Sequence, residues 1–124
     1  MFEYWSARKD ELIPKIATGF GGGIGRCGSV CGALTGSIMA IGIKYGTNEP
    51  SAKKRSKAYG LAKRLYREFE VQNGSVYCRE LTGCDLTSPE GLEKARKTKV
   101  LEEKCPGIVE NSVKNLLKLS EESR

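Results

Sequence analysis

At 124 residues the chain is sized for one domain, 1–124, burying about two-thirds of its unfolded surface. With 39% hydrophobic and 29% charged residues it falls in the ordinary soluble globular class. No histidine is present, which removes the usual general base, haem ligand and imidazole metal ligand, while a net charge of +6 gives weak attraction to anions.

The opening residues, MFEYWSARKDEL, carry charges and no apolar h-region, so no secretory signal is expected. Five cysteines in such a chain read as cytoplasmic thiols, and an odd count forbids complete internal pairing. Residues 8 to 18 suggest a short helix, with Asp10 and Glu11 suited to its first turn and Pro14 limiting its regularity.

Next comes GFGGGIG, residues 19 to 25, too rich in glycine for anything but a turn or an unusual backbone path. Residues 23 to 28, GIGRCG, match the GxGxxG dinucleotide pattern, but no β-branched run precedes them. Two readings stay open: a structural turn, or an anion or cofactor cradle formed by Gly21, Gly22, Gly23 and Arg26.

From Cys27 to Ile43 there is no charge, and Gly28, Gly32, Gly36 and Ala40 recur every fourth residue. The spacing predicts a central helix over about 28–45, with these residues forming a stripe almost free of side chains. Glycine inside a helix costs about 1 kcal/mol against alanine, so the stripe implies a close neighbour, either another backbone or a cofactor against Gly32 and Gly36. On that helix Cys27 and Cys31 would lie one turn apart. The run is short for a bilayer, which takes about 20 apolar residues, so a buried helix and no membrane span is expected. If nothing in the chain covers the Gly28/Gly32/Gly36 face, a homo-oligomer through it is the expectation.

Asn48 to Ser51 form a turn, and Ser51 caps a helix over 52–72 whose apolar face comprises Ala58, Tyr59, Ala62, Leu65, Tyr66 and Phe69. The opposite face carries lysines and arginines. With the tyrosines assigned to packing, these read as a solvated surface, and no nucleic acid is expected.

After Asn73-Gly74, a short helix from Ser75 to Gly83 places Cys78 in its first turn, where unpaired N–H groups favour a thiolate. Cys84 follows that turn. Thr87-Ser88-Pro89-Glu90 is a capping box starting a polar helix to about Glu103. Cys105-Pro106 opens the last helix, with Ile108, Val109, Val113, Leu116 and Leu117 as its stripe, and Cys105 again near an N-terminus. The fold class is all-α: a compact bundle of about five helices around the central glycine-rich one.

GFGGGIGR, then CGALTG, NGSVYCRELTGCDL and KCPGIVENSVKNLL, together resemble the redox-active protein family named for its C-GCAxxG-C-C cysteine pattern. The likeness runs from about Ile13 to Leu117 and sets Cys31 on the CGAxxG element, Cys78 on CREL and Cys105 on CP. It implies a helical protein of redox function, an oxidoreductase if it catalyses anything, with a redox partner that the residues do not name. Family members carry a further cysteine in an N-terminal helix ahead of the glycine loop. That position has no counterpart here, and Cys27 and Cys84 are additional thiols, Cys27 being the candidate substitute.

Three chemistries remain open for these sulfurs. A dithiol redox protein needs two of Cys31, Cys78, Cys105, Cys84 and Cys27 within disulfide reach. A zinc or Fe–S site would take four thiolates from Cys31, Cys78, Cys84 and Cys105, brought together by folding because no CxxC is present. Covalent c-type haem is excluded by the absence of CxxCH. The third is a structural or interaction module with buried cysteines.

Overall fold

The computed structural model describes residues 10–123 and is all-α among them. In chain order the elements are α1 (Leu12–Ala17), a 3-10 turn (Thr18–Phe20), α2 (Gly32–Tyr45), α3 (Ala52–Asn73), α4 (Cys78–Thr82), α5 (Pro89–Thr98), α6 (Val100–Glu103) and α7 (Cys105–Glu122). Three long helices, α2, α3 and α7, pack on one another.

Each long helix has a local reason to start and stop. Ser51 accepts a hydrogen bond from the Lys54 N–H at 3.3 Å, satisfying one orphan donor of α3. Gly74 ends that helix in the left-handed conformation, φ 83°, donating its N–H back to the Glu70 carbonyl. Ser88 caps α5 through the Gly91 N–H at 3.0 Å, with Pro89 at the first helical position. The polar helix expected to reach Glu103 is cut in two, because Lys99 adopts φ 55° and separates α5 from α6.

The core follows the apolar stripes. Leu34, Phe69, Val76, Leu81 and Ile108 form one cluster, and Ala40, Ile41, Leu65, Leu116 and Leu119 a second, together joining α2, α3 and α7. Full burial of a leucine or phenylalanine contributes about 1.5–3 kcal/mol, so these positions dominate the stability. A third cluster is Cys78, Cys84, Leu86 and Ala95, which packs α5 beneath α4. The buried hydroxyls of Ser37 and Ser112 donate to the Ala33 and Ile108 carbonyls one turn back, so neither enters the core unsatisfied. Gln72 and Asn115 exchange amide hydrogen bonds at 3.1 and 2.9 Å, pinning α3 to α7.

Two expectations change. The central helix begins at Gly32 with Cys31 as its N-cap, not at Gly28. Gly28 has φ 72° and lies buried in the preceding loop, so the stripe on the helix is Gly32, Gly36 and Ala40, and Cys27 is not one helical turn from Cys31. The tyrosines of α3 also turn outward: Tyr59 is 67% exposed and Tyr66 36%, leaving Leu65 and Phe69 buried, with Ala58 and Leu61 packed at the edge of the core. Tyr59 instead lies against the Arg55 guanidinium at 5.9 Å.

Candidate functional site

The segment before α2 follows a left-handed path. Gly22, Gly23, Ile24, Gly25 and Arg26 carry consecutive φ values of 64°, 70°, 66°, 56° and 67°. Glycine adopts this region freely, whereas an L side chain costs about 1–2 kcal/mol there, and a β-branched isoleucine is a genuine outlier. Internal hydrogen bonds hold the path: Gly25 N–H to Gly19 O at 3.0 Å, Gly28 N–H to Gly22 O at 3.2 Å and Ser29 N–H to Gly23 O at 2.9 Å. The amides of Ile24 through Ser29 all donate to carbonyls of the loop itself, which leaves those six unavailable to an anion.

This path brings the loop onto α4. A Cβ built on Gly23 would lie 2.7 Å from the Cys78 Cβ, and one on Gly28 would lie 2.9 Å from the Arg79 Cβ. Along the contact, the Cys78 N–H donates to Ser29 O at 2.7 Å, Cys31 N–H to Val76 O at 2.8 Å and Arg79 N–H to Gly28 O at 3.1 Å. Val30 and Tyr77 form the antiparallel bridge at its centre. Cys31 and Cys78 each follow a bridge residue, so they are diagonal neighbours across it, Cys31 as the N-cap of α2 and Cys78 as the first residue of α4.

Cys105, the first residue of α7, joins from the other side. The neighbouring Lys104 ammonium donates to the Leu81 carbonyl at 2.6 Å, fixing the start of α7 to the end of α4. Cys84 is held behind Cys78: Thr82 Oγ1 donates to the Cys78 carbonyl at 2.8 Å, and the Cys84 thiol donates to the Thr82 carbonyl at 3.4 Å.

The electrostatics reports the same gathering. Burial pushes the Cys78 thiol above its ordinary pKa, and the proximity of Cys31, Cys105 and Cys84 raises it further, because a thiolate on one sulfur opposes ionisation of the next. Cys105 is raised for the same reasons, burial first and then Cys31, with Lys104 opposing and Glu102 adding to the rise. The expectation of helix-activated thiolates at Cys78 and Cys105 is therefore reversed. A five-residue α4 and a half-buried start of α7 supply less stabilisation than desolvation removes.

Cys31, Cys78, Cys84 and Cys105 are thus electrostatic neighbours around the start of α4, and Cys27 lies exposed on the loop surface. All five are free. Among the described residues no three of Cys, His, Asp and Glu converge closely enough to hold a metal ion, so this arrangement of Cys31, Cys78, Cys84 and Cys105 does not fit a zinc or Fe–S site. Of the candidate cradle, Gly23 is buried against Ser29 and Cys78, and the backbone and side chain of Arg26 crowd the space a Gly22 side chain would fill. Gly32 and Gly36 instead form one wall of an apolar groove of about 330 Å³ between α1, α2 and α7, where a Cβ on Gly36 would meet nothing within 4 Å.

Sequence reasoning missed Ser29, Val30 and Tyr77, which build the bridge, and Arg79 and Lys104, which flank the thiols. Lys104 and Arg79 were visible as the cations next to Cys105 and Cys78. The bridge gave no periodic signal, since each arm is only a few residues long.

The model of the family described as "Putative redox-active protein (C_GCAxxG_C_C)" matches residues 2–119. A protein of Archaeoglobus fulgidus that bears the name "Uncharacterized protein" is 31% identical over 115 residues, covering 86% of this chain and 74% of its own. No solved structure matches the chain. Among the described residues no helix is long and apolar enough to cross a membrane.

Proposed function

Because this chain belongs to the C_GCAxxG_C_C family, we propose that it is a thiol–disulfide redox protein whose reacting sulfurs are Cys31, Cys78 and Cys105. The observation that carries this reading is the placement of Cys31 and Cys78 as diagonal neighbours across the Val30–Tyr77 bridge, with Cys31 near enough to make both Cys78 and Cys105 harder to ionise. Half-buried Cys31 is the sulfur open to a partner, and buried Cys78 is the one that resolves. In the oxidising direction the Cys31 thiolate attacks a disulfide of the partner, releasing one partner thiol. Cys78 then displaces the second, forming Cys31–Cys78 and returning two thiols and two electrons' worth of reduction to the partner.

The raised pKa of Cys78 and Cys105 keeps both protonated near neutrality, which protects them from adventitious oxidation and leaves exchange dependent on docking at Cys31. Five free thiols fit a reducing, cytoplasmic compartment. A second copy packing on the Gly32/Gly36 wall, open among the described residues, belongs to the same reading. Counting thiols in Cys27→Ser before and after equilibration with oxidised dithiothreitol tests it: two should disappear there and none in Cys27→Ser/Cys31→Ser, and either no loss in the first or the same loss in the second would count against it.

A further inference from the structure

On the loop side of α4, away from the apolar groove, an open polar cleft of about 640 Å³ lies between the loop and the start of the Asp85 turn. Two sulfurs line it, exposed Cys27 at the mouth and Cys84, 3% exposed, in its wall. So do one cation and two carboxylates: Arg79, Glu80 and Asp85. A volume of this size suits a small molecule, since ligand sites span about 300–1,000 Å³.

The charges are not used up internally in the same way. Among the described residues Arg79 makes no ion pair, and its guanidinium rests over the Tyr77 ring at 5.6 Å. Asp85 accepts hydrogen bonds from the Thr87 N–H and hydroxyl, which hold its carboxyl below the usual range and fix it as an anion. Glu80 accepts from the Ser75 hydroxyl. The cleft therefore offers an unpaired guanidinium, an oriented carboxylate and an accessible thiol within one volume. A ligand matching all three carries a carboxylate, an ammonium and a sulfur.

The backbone explains why Cys27 is presented. It sits between Arg26 at φ 67° and Gly28 at φ 72°, with its own N–H tied to the Ile24 carbonyl at 3.0 Å. Gly28 is pressed against the Arg79 side-chain stem, so the thiol and the guanidinium are fixed to one rigid contact rather than to two independent surfaces.

We propose that this cleft is a thiol-exchange site for zwitterionic low-molecular-weight disulfides of the amino-acid type, with Cys27 as the attacking sulfur, Arg79 binding the carboxylate and Asp85 the ammonium. The Cys27 thiolate attacks one sulfur of R–S–S–R. The S–S bond breaks, a Cys27–S–S–R bond forms, and R–S⁻ leaves and takes up a proton, with no net change in electrons. Cys84 is closed to solvent and engaged with the Thr82 carbonyl, so the reaction stops at the mixed disulfide. The site stands whether or not the buried sulfurs react.

The test compares two disulfides, cystine and the uncharged 2-hydroxyethyl disulfide, on the full chain. Intact-mass and peptide analysis should find one adduct, on Cys27, absent in Cys27→Ser, with cystine reacting several-fold faster than the neutral disulfide. Arg79→Gln and Asp85→Asn, each checked for native helicity, should bring the two rates together by slowing cystine alone. Adducts on another cysteine, or a cystine preference that is absent in the native protein or unchanged in both variants, would show Cys27 to be merely an exposed thiol and overturn the assignment.

Discussion

Gly23 touches Cys78 so closely that a single added methyl group would sit 2.7 Å from the Cys78 Cβ and 2.6 Å from the Ser29 amide nitrogen. The glycine loop is therefore the surface against which the CREL cysteine is seated, and its left-handed path is the condition for that seating. Without it, the segment before α2 could not lie antiparallel to the segment before α4, and Cys31 would have no fixed relation to Cys78.

Two alanine substitutions in this loop should separate contact from conformation. Gly23→Ala meets backbone at φ 70° and should destabilise by about 3 kcal/mol, whereas Gly25→Ala, at φ 56° with nothing within 4 Å, should lose only about 1–2 kcal/mol. Urea midpoints of the two variants measure this directly. Equal losses would mean that the approach of Gly23 to Cys78 carries no weight.

The thiol ionisations set a second expectation. Burial raises Cys78 and Cys105 above an unfolded thiol value of about 8.5, so above that pH the native state retains protons the unfolded chain has released. Stability should be intact below about pH 8.5 and fall as pH rises through the folded values. The double variant Cys78→Ser/Cys105→Ser should flatten that alkaline fall in thermal melts. At pH near 7, iodoacetamide should modify exposed Cys27 well before buried Cys78 or half-buried Cys105.

The glycine wall of α2 makes a third case. Among the described residues Gly36 has open space where a side chain would be, and Ala40 and Met39 continue the same groove. If a second copy packs there, Gly36→Leu should convert dimer to monomer in sedimentation while leaving helicity unchanged. A native chain that sediments as a monomer at all concentrations removes the oligomer from the account.

How far the residues alone foretold this structure depends on which forces shape each part. Leu65, Phe69, Ile108 and Leu116 were readable because they follow the helical period, and Ser51 and Ser88 announce the caps of α3 and α5, whereas Val109, expected on the buried stripe of α7, is 50% exposed and Leu119 takes the buried place. The outward turn of Tyr59 and Tyr66 was not, since a phenol ring satisfies either a core or a cation, and only packing chooses. The start of α2 was misplaced by four residues because glycine at every fourth position satisfies a helix and a left-handed loop equally. Gly28 took the loop once Arg79 occupied the space beside it. The grouping of Cys31, Cys78 and Cys105 was legible only through the family resemblance, as nothing local in the chain relates positions so far apart.

Disulfide mapping by peptide mass analysis, after equilibrating the protein across a series of oxidised and reduced dithiothreitol ratios, bears most directly on the central claim. The account predicts a reversible Cys31–Cys78 bond, or Cys31–Cys105 when Cys78 is replaced by serine, appearing with one midpoint potential and lost in Cys31→Ser. A protein in which these three sulfurs remain reduced at every ratio, or in which the only bonds formed involve Cys27 between molecules, would contradict it.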